Sequence, residues 1–167
     1  MGTVGPYMPK LGRHWQTLHE SQVTQMLRAG RTPLTEGGPE AVVLGPDDVA
    51  DMLALVELTQ PGPFRRRTIE LGRFIGIRDN GQLVAMAGER SWIGSFREVS
   101  GVCTHPDAQG RGYARALIAR VVNRMLRSGE TPFLHAEASN VRAIALYRGL
   151  GFVERARFPL LAAKRLQ

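Results

Sequence analysis

The strongest pattern in the chain is helical. Ala114, Leu117, Ile118, Val121, Val122, Met125 and Leu126 keep the i, i+3, i+4, i+7, i+8 rhythm of one buried stripe. Arg115, Arg124 and Arg127 are expected to fall away from that stripe, and Gly129 supplies the stop. An earlier helix is expected after Asp47 or Asp48, either of which can cap it, with Val49, Met52, Leu53, Val56 and Leu58 inward and Pro61 and Pro63 closing it. Phe64 to Leu71 reads as a short helix, and Asn140 to Leu150 as a further one capped near Ser139.

Strand patterns fill the intervals. Ala41 to Leu44 is a short strand, and Arg73 to Arg78 and Gln82 to Glu89 form an antiparallel pair through Asp79-Asn80-Gly81, where Asn-Gly is a strong hairpin signal. Trp92 to Phe96 turns the chain into Arg97 to Thr104. On that strand Glu98, Ser100, Val102 and Thr104 share one face and Val99, Gly101 and Cys103 the other, unless a bulge near Gly101 changes the register. Pro132 to Glu137 is the next strand, and Phe152 to Arg155 with Phe158 to Lys164 form a closing pair. Trp15 to His19 and Val23 to Leu27 read as a short hairpin near the start.

Strands and helices are therefore mixed, with no internal repeat, which predicts one α/β (α+β) domain. The Gly37-Gly38-Pro39 cluster marks a boundary between an N-terminal extension over 1–40, its opening dozen residues flexible, and a folded domain over 41–167.

Composition changes this picture only at the edges. With 167 residues and 43% hydrophobic content, the chain can bury a sizeable core. No run approaches the roughly 18 apolar residues of a membrane span. No charged-then-apolar export signal opens the chain, and Pro6 spoils a myristoylation start, so a cytoplasmic protein without membrane partners is expected. Cys103 is the single cysteine, which excludes an internal disulfide, and its place in a strand favours a small buried residue over a thiol nucleophile. The net charge of +7 rests on arginine, since only Lys10 and Lys164 are lysines. These arginines are scattered, apart from Arg65-Arg66-Arg67, and lack interleaved aromatics, so nucleic acid is not the expected partner. A positive field suits a polyanionic cofactor equally well. No Cys/His spacing suggests zinc and no carboxylate pattern suggests a calcium loop, so no metal is expected.

The stretch with most chemical content is Gln109-Gly110-Arg111-Gly112-Tyr113-Ala114. Glycines just before a helix let backbone N–H groups and the helix's first turn converge on one point, which suits an anion. By itself the Gly-x-Gly pair is also compatible with an ordinary glycine turn. Its neighbours are Glu98-Val99-Ser100-Gly101-Val102-Cys103-Thr104-His105-Pro106 upstream, and Asn140-Val141-Arg142-Ala143-Ile144-Ala145-Leu146-Tyr147 with Gly149-Leu150-Gly151-Phe152 downstream. Taken in that order, over roughly residues 41 to 166, these motifs resemble the GNAT superfamily of acyl-CoA N-acyltransferases.

That resemblance implies a mixed, mostly antiparallel sheet flanked by helices, with two central parallel strands splayed into a notch for acetyl-CoA. It implies backbone contacts from Val102, Cys103 and Thr104 to the pantetheine arm, and N–H groups from Gln109, Gly110, Arg111, Gly112, Tyr113 and Ala114 on the pyrophosphate. Asn140 would touch the pantetheine arm, and Tyr147 would be the acid that protonates the departing thiolate. Glu98 stands eleven residues before Gln109, where the histone-modifying branch keeps a basic glutamate; the competing reading is a cross-strand ion pair with an arginine. Glu89 is a second choice of base. His135 and Glu137 share a strand face and could line the acceptor side, although a lone strand histidine, like His105 before Pro106, is more often structural. The implied activity is direct attack on acetyl-CoA by a small-molecule or peptide amine in a ternary complex, without metal. The alternative is a GNAT-like module that binds acyl-CoA without transfer and serves regulation or interaction. A two-fold dimer is left open, as two-fold dimers are the commonest oligomers.

Overall fold

A computed structural model describes residues 2–166. Contacts divide the chain into two compact units, one built from 30–133 and the other from the segments before 30 and after 133. The first forty residues thus do not form one piece.

In the 30–133 unit, β3 (Val42–Leu44), β4 (Phe74–Asp79), β5 (Gln82–Ile93) and β6 (Phe96–Thr104) follow one another as antiparallel neighbours. The start of β7 (Thr131–Glu137) then joins β6 in parallel. The β4–β5 turn forms as expected, because Asn80 and Gly81 take φ of 50° and 84°, the left-handed pair a tight hairpin needs. Helix α1 (Val49–Thr59) covers one sheet face, where Met52, Leu55 and Val56 join Leu44, Phe74, Leu83, Met86 and Cys103 in one apolar cluster. The inward stripe is therefore Met52, Leu55 and Val56, spaced i, i+3, i+4; Leu58 instead points outward at 53% exposure. Asp48 precedes α1 but its carboxylate accepts from Gly45 N at 2.8 Å, closing the turn before the helix rather than capping the helix itself. The short helix expected over 64–71 is a 3-10 segment, Arg66–Leu71, on which Arg67 pairs with Glu70 at the surface.

Helix α2 (Tyr113–Arg127) contacts the same strands. Leu117, Ile118, Val121, Val122 and Met125 are buried as their spacing predicts. Two polar residues on α2 escape that pattern. Asn123 is buried and clamps the segment before β3: its Oδ1 accepts from Leu34 N at 2.8 Å, while its Nδ2 donates to Leu34 O and Glu36 Oε1, each at 2.8 Å. Arg124 does not fall away to solvent; buried Glu89 and half-buried Glu130 hold it against the sheet.

The bulge left open by the sequence exists. Met86 faces Cys103 and Gly88 faces Ser100, so β6 spends one extra residue at Gly101, whose φ is +62°. Cys103 consequently joins the α1 face, whereas Val99 stays opposite Glu89, whose carboxylate meets α2. Phe74 fills the space that glycine vacates: a Cβ at Gly101 would lie 2.9 Å from its ring and one at Gly88 only 2.3 Å. Phe64 packs edge-on against the same ring, with centroids 5.5 Å apart.

In the other unit, β1 (Gly2–Val4) and β2 (Trp15–Arg28) lie on either side of β8 (Phe152–Arg165), both antiparallel to it, and β2 neighbours β7. The expected early hairpin is one strand, because Glu20-Ser21-Gln22 holds no glycine, proline, asparagine or aspartate to turn the chain and β8 pairs along the whole of β2 with bulges at Thr17/His19 and Gln25/Met26. For the same reason the two closing strands are one. β1 likewise gives the opening residues a partner where flexibility was expected. Helix α3 (Val141–Arg148) is capped near Ser139 as expected, by its neighbour Asn140, whose Oδ1 accepts from Ala143 N at 3.0 Å.

If Phe74 is what the bulge packs on, Gly88→Ala should cost roughly 1–3 kcal/mol of stability, the usual penalty for overpacking. A lowered urea midpoint with unchanged slope would show it; an unchanged midpoint would mean the ring moves aside freely.

Candidate functional site

The site grows from the end of β6. Within its unit, β6 carries β7 alongside it for three residues, Phe96↔Thr131, Arg97↔Pro132 and Glu98↔Phe133, and from Val99 to Thr104 its pairing is with β5. The backbone of Val102, Cys103 and Thr104 thus forms the last stretch of a strand that leads directly into the glycine loop. Thr104 Oγ1 is buried and has no hydrogen-bond partner among the described residues, an orphan that points to an absent polar neighbour at this end of the strand. The Cys103 side chain turns into the α1 cluster instead, and burial raises its thiol to about 11, so it is protonated near neutrality and packs as an apolar residue.

After Thr104 the chain is pinned by His105, whose N donates to Val84 O at 2.7 Å and whose Nδ1 accepts from Asp107 N at 3.3 Å. That is the structural role expected of it. A 3-10 turn, Pro106–Ala108, leads to Gln109, and Gly110 and Gly112 both take φ of +79°. Gly112 is the N-cap of α2 and brings no side chain to its first turn. A Cβ at either glycine would meet nothing within 4 Å, so the loop faces open space with its backbone bare. Arg111 is tied outward by Asp79 at 3.2 Å and by the Asp107 carbonyl at 3.3 Å. A 15-residue helix entered through two left-handed glycines fits a pyrophosphate in shape and in dipole.

Glu98 is buried and held by Arg90 through two hydrogen bonds, Nε to Oε2 at 3.2 Å and Nη2 to Oε1 at 3.0 Å. The cross-strand ion pair weighed against the base reading is therefore made. Glu89 lies on the opposite face, 2.5 Å from Arg124 Nε and 3.8 Å from Arg97; burial pushes its carboxyl up, and both arginines oppose that shift.

Asn140 and Tyr147 belong to the other unit. Tyr147 is buried with its ring edge-on to Phe152 at 6.1 Å, and Asn140 spends its side-chain oxygen on the α3 cap. In that unit Gln25 Nε2 lies 3.0 Å from His135 Nε2, and Ser21 and His19 approach Glu137 Oε1 at 3.0 and 3.1 Å. Both β7 side chains are thereby engaged by β2, which the sequence could have shown only with the long β2 strand already recognised. Among the described residues no group of three or more His, Cys, Asp or Glu could hold a metal ion, and no helix is long and apolar enough to cross a membrane.

Comparison with known proteins bears on the family and the fold. Residues 49–152 match the model of the Acetyltransferase (GNAT) family. The chain is 28% identical to the Escherichia coli L-amino acid N-acyltransferase MnaT over 106 residues, 60% of this chain and 62% of that protein. A 54-residue stretch is 41% identical to the E. coli [Ribosomal protein bS18]-alanine N-acetyltransferase, covering 32% of this chain and 36% of the relative. The chain thus spans less than two thirds of either relative. Among solved structures, a putative GNAT acetyltransferase from Novosphingobium aromaticivorans superposes on all of this chain and 75% of its own, with TM-score 0.91 and 38% identity. From β6 through the glycine loop to α3, sequence and fold agree: the chain belongs to the GNAT acetyltransferase family.

Proposed function

We propose that the protein transfers the acetyl group of acetyl-CoA to a primary amine, directly and within a ternary complex. The observation that carries this reading is the continuous run from the Val102–Thr104 strand end into the left-handed glycines and the α2 N-terminus. A polyanionic thioester can lie along such a run with pantetheine amides on the strand and phosphates on the loop. Asn140 is assigned to the pantetheine arm from its remaining amide group. The relatives act on an amino acid and on a ribosomal-protein alanine, which favours the amine of an amino acid or of a peptide as acceptor. A cytoplasmic location suits such acceptors.

In this scheme the amine nitrogen bonds to the acetyl carbon as the carbon–sulfur bond breaks. Glu98 takes the amine proton, and Tyr147 supplies one to the sulfur. A phenol, ordinarily with pKa about 10, is protonated at neutral pH and can still donate to developing charge. Arg90 fixes the Glu98 carboxylate in place but occupies both of its oxygens. That occupation is the one observation favouring the alternative, a family member that binds acyl-CoA without transferring it. Free thiol released from acetyl-CoA only when an amine is supplied supports transfer; tight binding without release supports the binding module.

Glu98→Gln should lower turnover chiefly near pH 7, where the amine is mostly protonated, and recover in part as pH rises. A pH–rate profile that overlays the parent's would reduce Glu98 to the ion pair it makes with Arg90. Tyr147→Phe keeps the ring against Phe152 and deletes only the hydroxyl. It should lower kcat about 10²-fold with little change in CoA affinity; near-normal turnover would leave Tyr147 a packing residue.

A further inference from the structure

A polar cavity lies in the 30–133 unit, on the α2 face of its sheet, and none of its lining residues belongs to the glycine loop. It measures about 220 Å³ and brings four guanidinium groups, Arg73, Arg120, Arg124 and Arg127, around two carboxylates, Glu36 and Glu89. These charges are not equally committed. Arg124 is engaged by Glu89 and by Glu130, the latter at 2.9 Å, and Arg127 lies 3.9 Å from Glu36. Arg73 and Arg120 have no carboxylate partner among the described residues. Arg120 Nη2 donates to the Gly37 carbonyl at 3.2 Å, while its Nη1 is buried without a hydrogen-bond partner.

A buried guanidinium nitrogen with nothing to donate to is costly to leave unsatisfied, and Arg73, exposed at the same cavity, adds a second cation without a carboxylate partner. The cavity is also preformed. Asn123 clamps Leu34 and Glu36, the Gly37 carbonyl holds Arg120, and Glu89 is itself buried under Arg124. Val43, Ile75 and Val121 add an apolar side, so the space suits a short carbon stem as well as an oxyanion head. The geometry points to a binding site for a small organic dianion, a dicarboxylate or a phosphomonoester, with its charged head on Arg73 and Arg120. Planar forked donors match both head groups. The site shares no residue with the glycine loop or the β6 end, so it is a place for an effector rather than for the acetyl donor.

Calorimetric titration of the full chain with succinate and with inorganic phosphate, against acetate and sodium chloride at equal ionic strength, tests it without any thioester. Its outcome is therefore independent of acetyl transfer. Saturable binding of either dianion, weakened about tenfold or more in both Arg73→Gln and Arg120→Gln, supports the site, and the better dianion names the head group. Arg73 is exposed and its replacement should leave folding intact, so the test survives if Arg120→Gln fails to fold. No saturable binding, acetate binding as tightly as succinate, or binding undiminished in folded Arg73→Gln would overturn the assignment; the last would place the anion elsewhere, as on the glycine loop.

Discussion

One extra residue in β6 decides which way each half of that strand faces. Because Gly101 takes φ of +62° and bulges, the strand turns over between Val99 and Cys103. Before it, Val99 lies across from Glu89 on the α2 side; after it, Cys103 packs with Met52, Leu55 and Val56 of α1. The same strand keeps its parallel partner only as far as Glu98 and continues beside β5 to Thr104. Glycine is required twice over, since a side chain at position 101 would be strained and would crowd Phe74. The bulge thus combines a packing requirement with a change in the direction β6 presents to whatever lies beside it, which is how strand irregularities commonly serve function.

Helix α2 joins two electrostatic environments through one buried stripe. Its N-terminus, entered through Gly110 and Gly112, is bare backbone facing open space. Its further half carries Arg120, Asn123, Arg124 and Arg127, and these bind the 34–37 segment and the carboxylates of Glu36, Glu89 and Glu130. Much of the chain's positive charge therefore has local work in the fold. Arg90 on Glu98, Arg78 on Asp48 and Asp51, and Arg111 on Asp79 are further cases. Net charge counted from sequence overstates the field available to a ligand, because such pairs cancel locally.

How far the sequence was legible depends on the range of each signal. The α2 stripe, the Asn80-Gly81 turn and the glycine loop are local patterns, and each appears where the spacing puts it. The stop at Gly129 does too, with φ of +74°. Long-range pairing was less visible. Trp15–Arg28 looked like two strands because the polar Glu20-Ser21-Gln22 separates its more apolar ends, and only β8, more than a hundred residues away, makes it one. Polar residues held against the core were the other blind spot: buried Asn123 and Glu89 and half-buried Arg124 interrupt apolar patterns, and only the folded chain brings their partners within reach. The two readings of Glu98 differed in just this way, since the arginine that grips it is eight residues away on the neighbouring strand.

The central claim is where acyl-CoA is held, and amide hydrogen exchange measured with and without CoA addresses it most directly. Slowed exchange concentrated over 102–104 and 109–116, with β3 and the 34–37 segment unchanged, is the result this account predicts. Protection absent from the glycine loop while CoA is bound, or centred on the Arg73–Arg120 cavity instead, would contradict it.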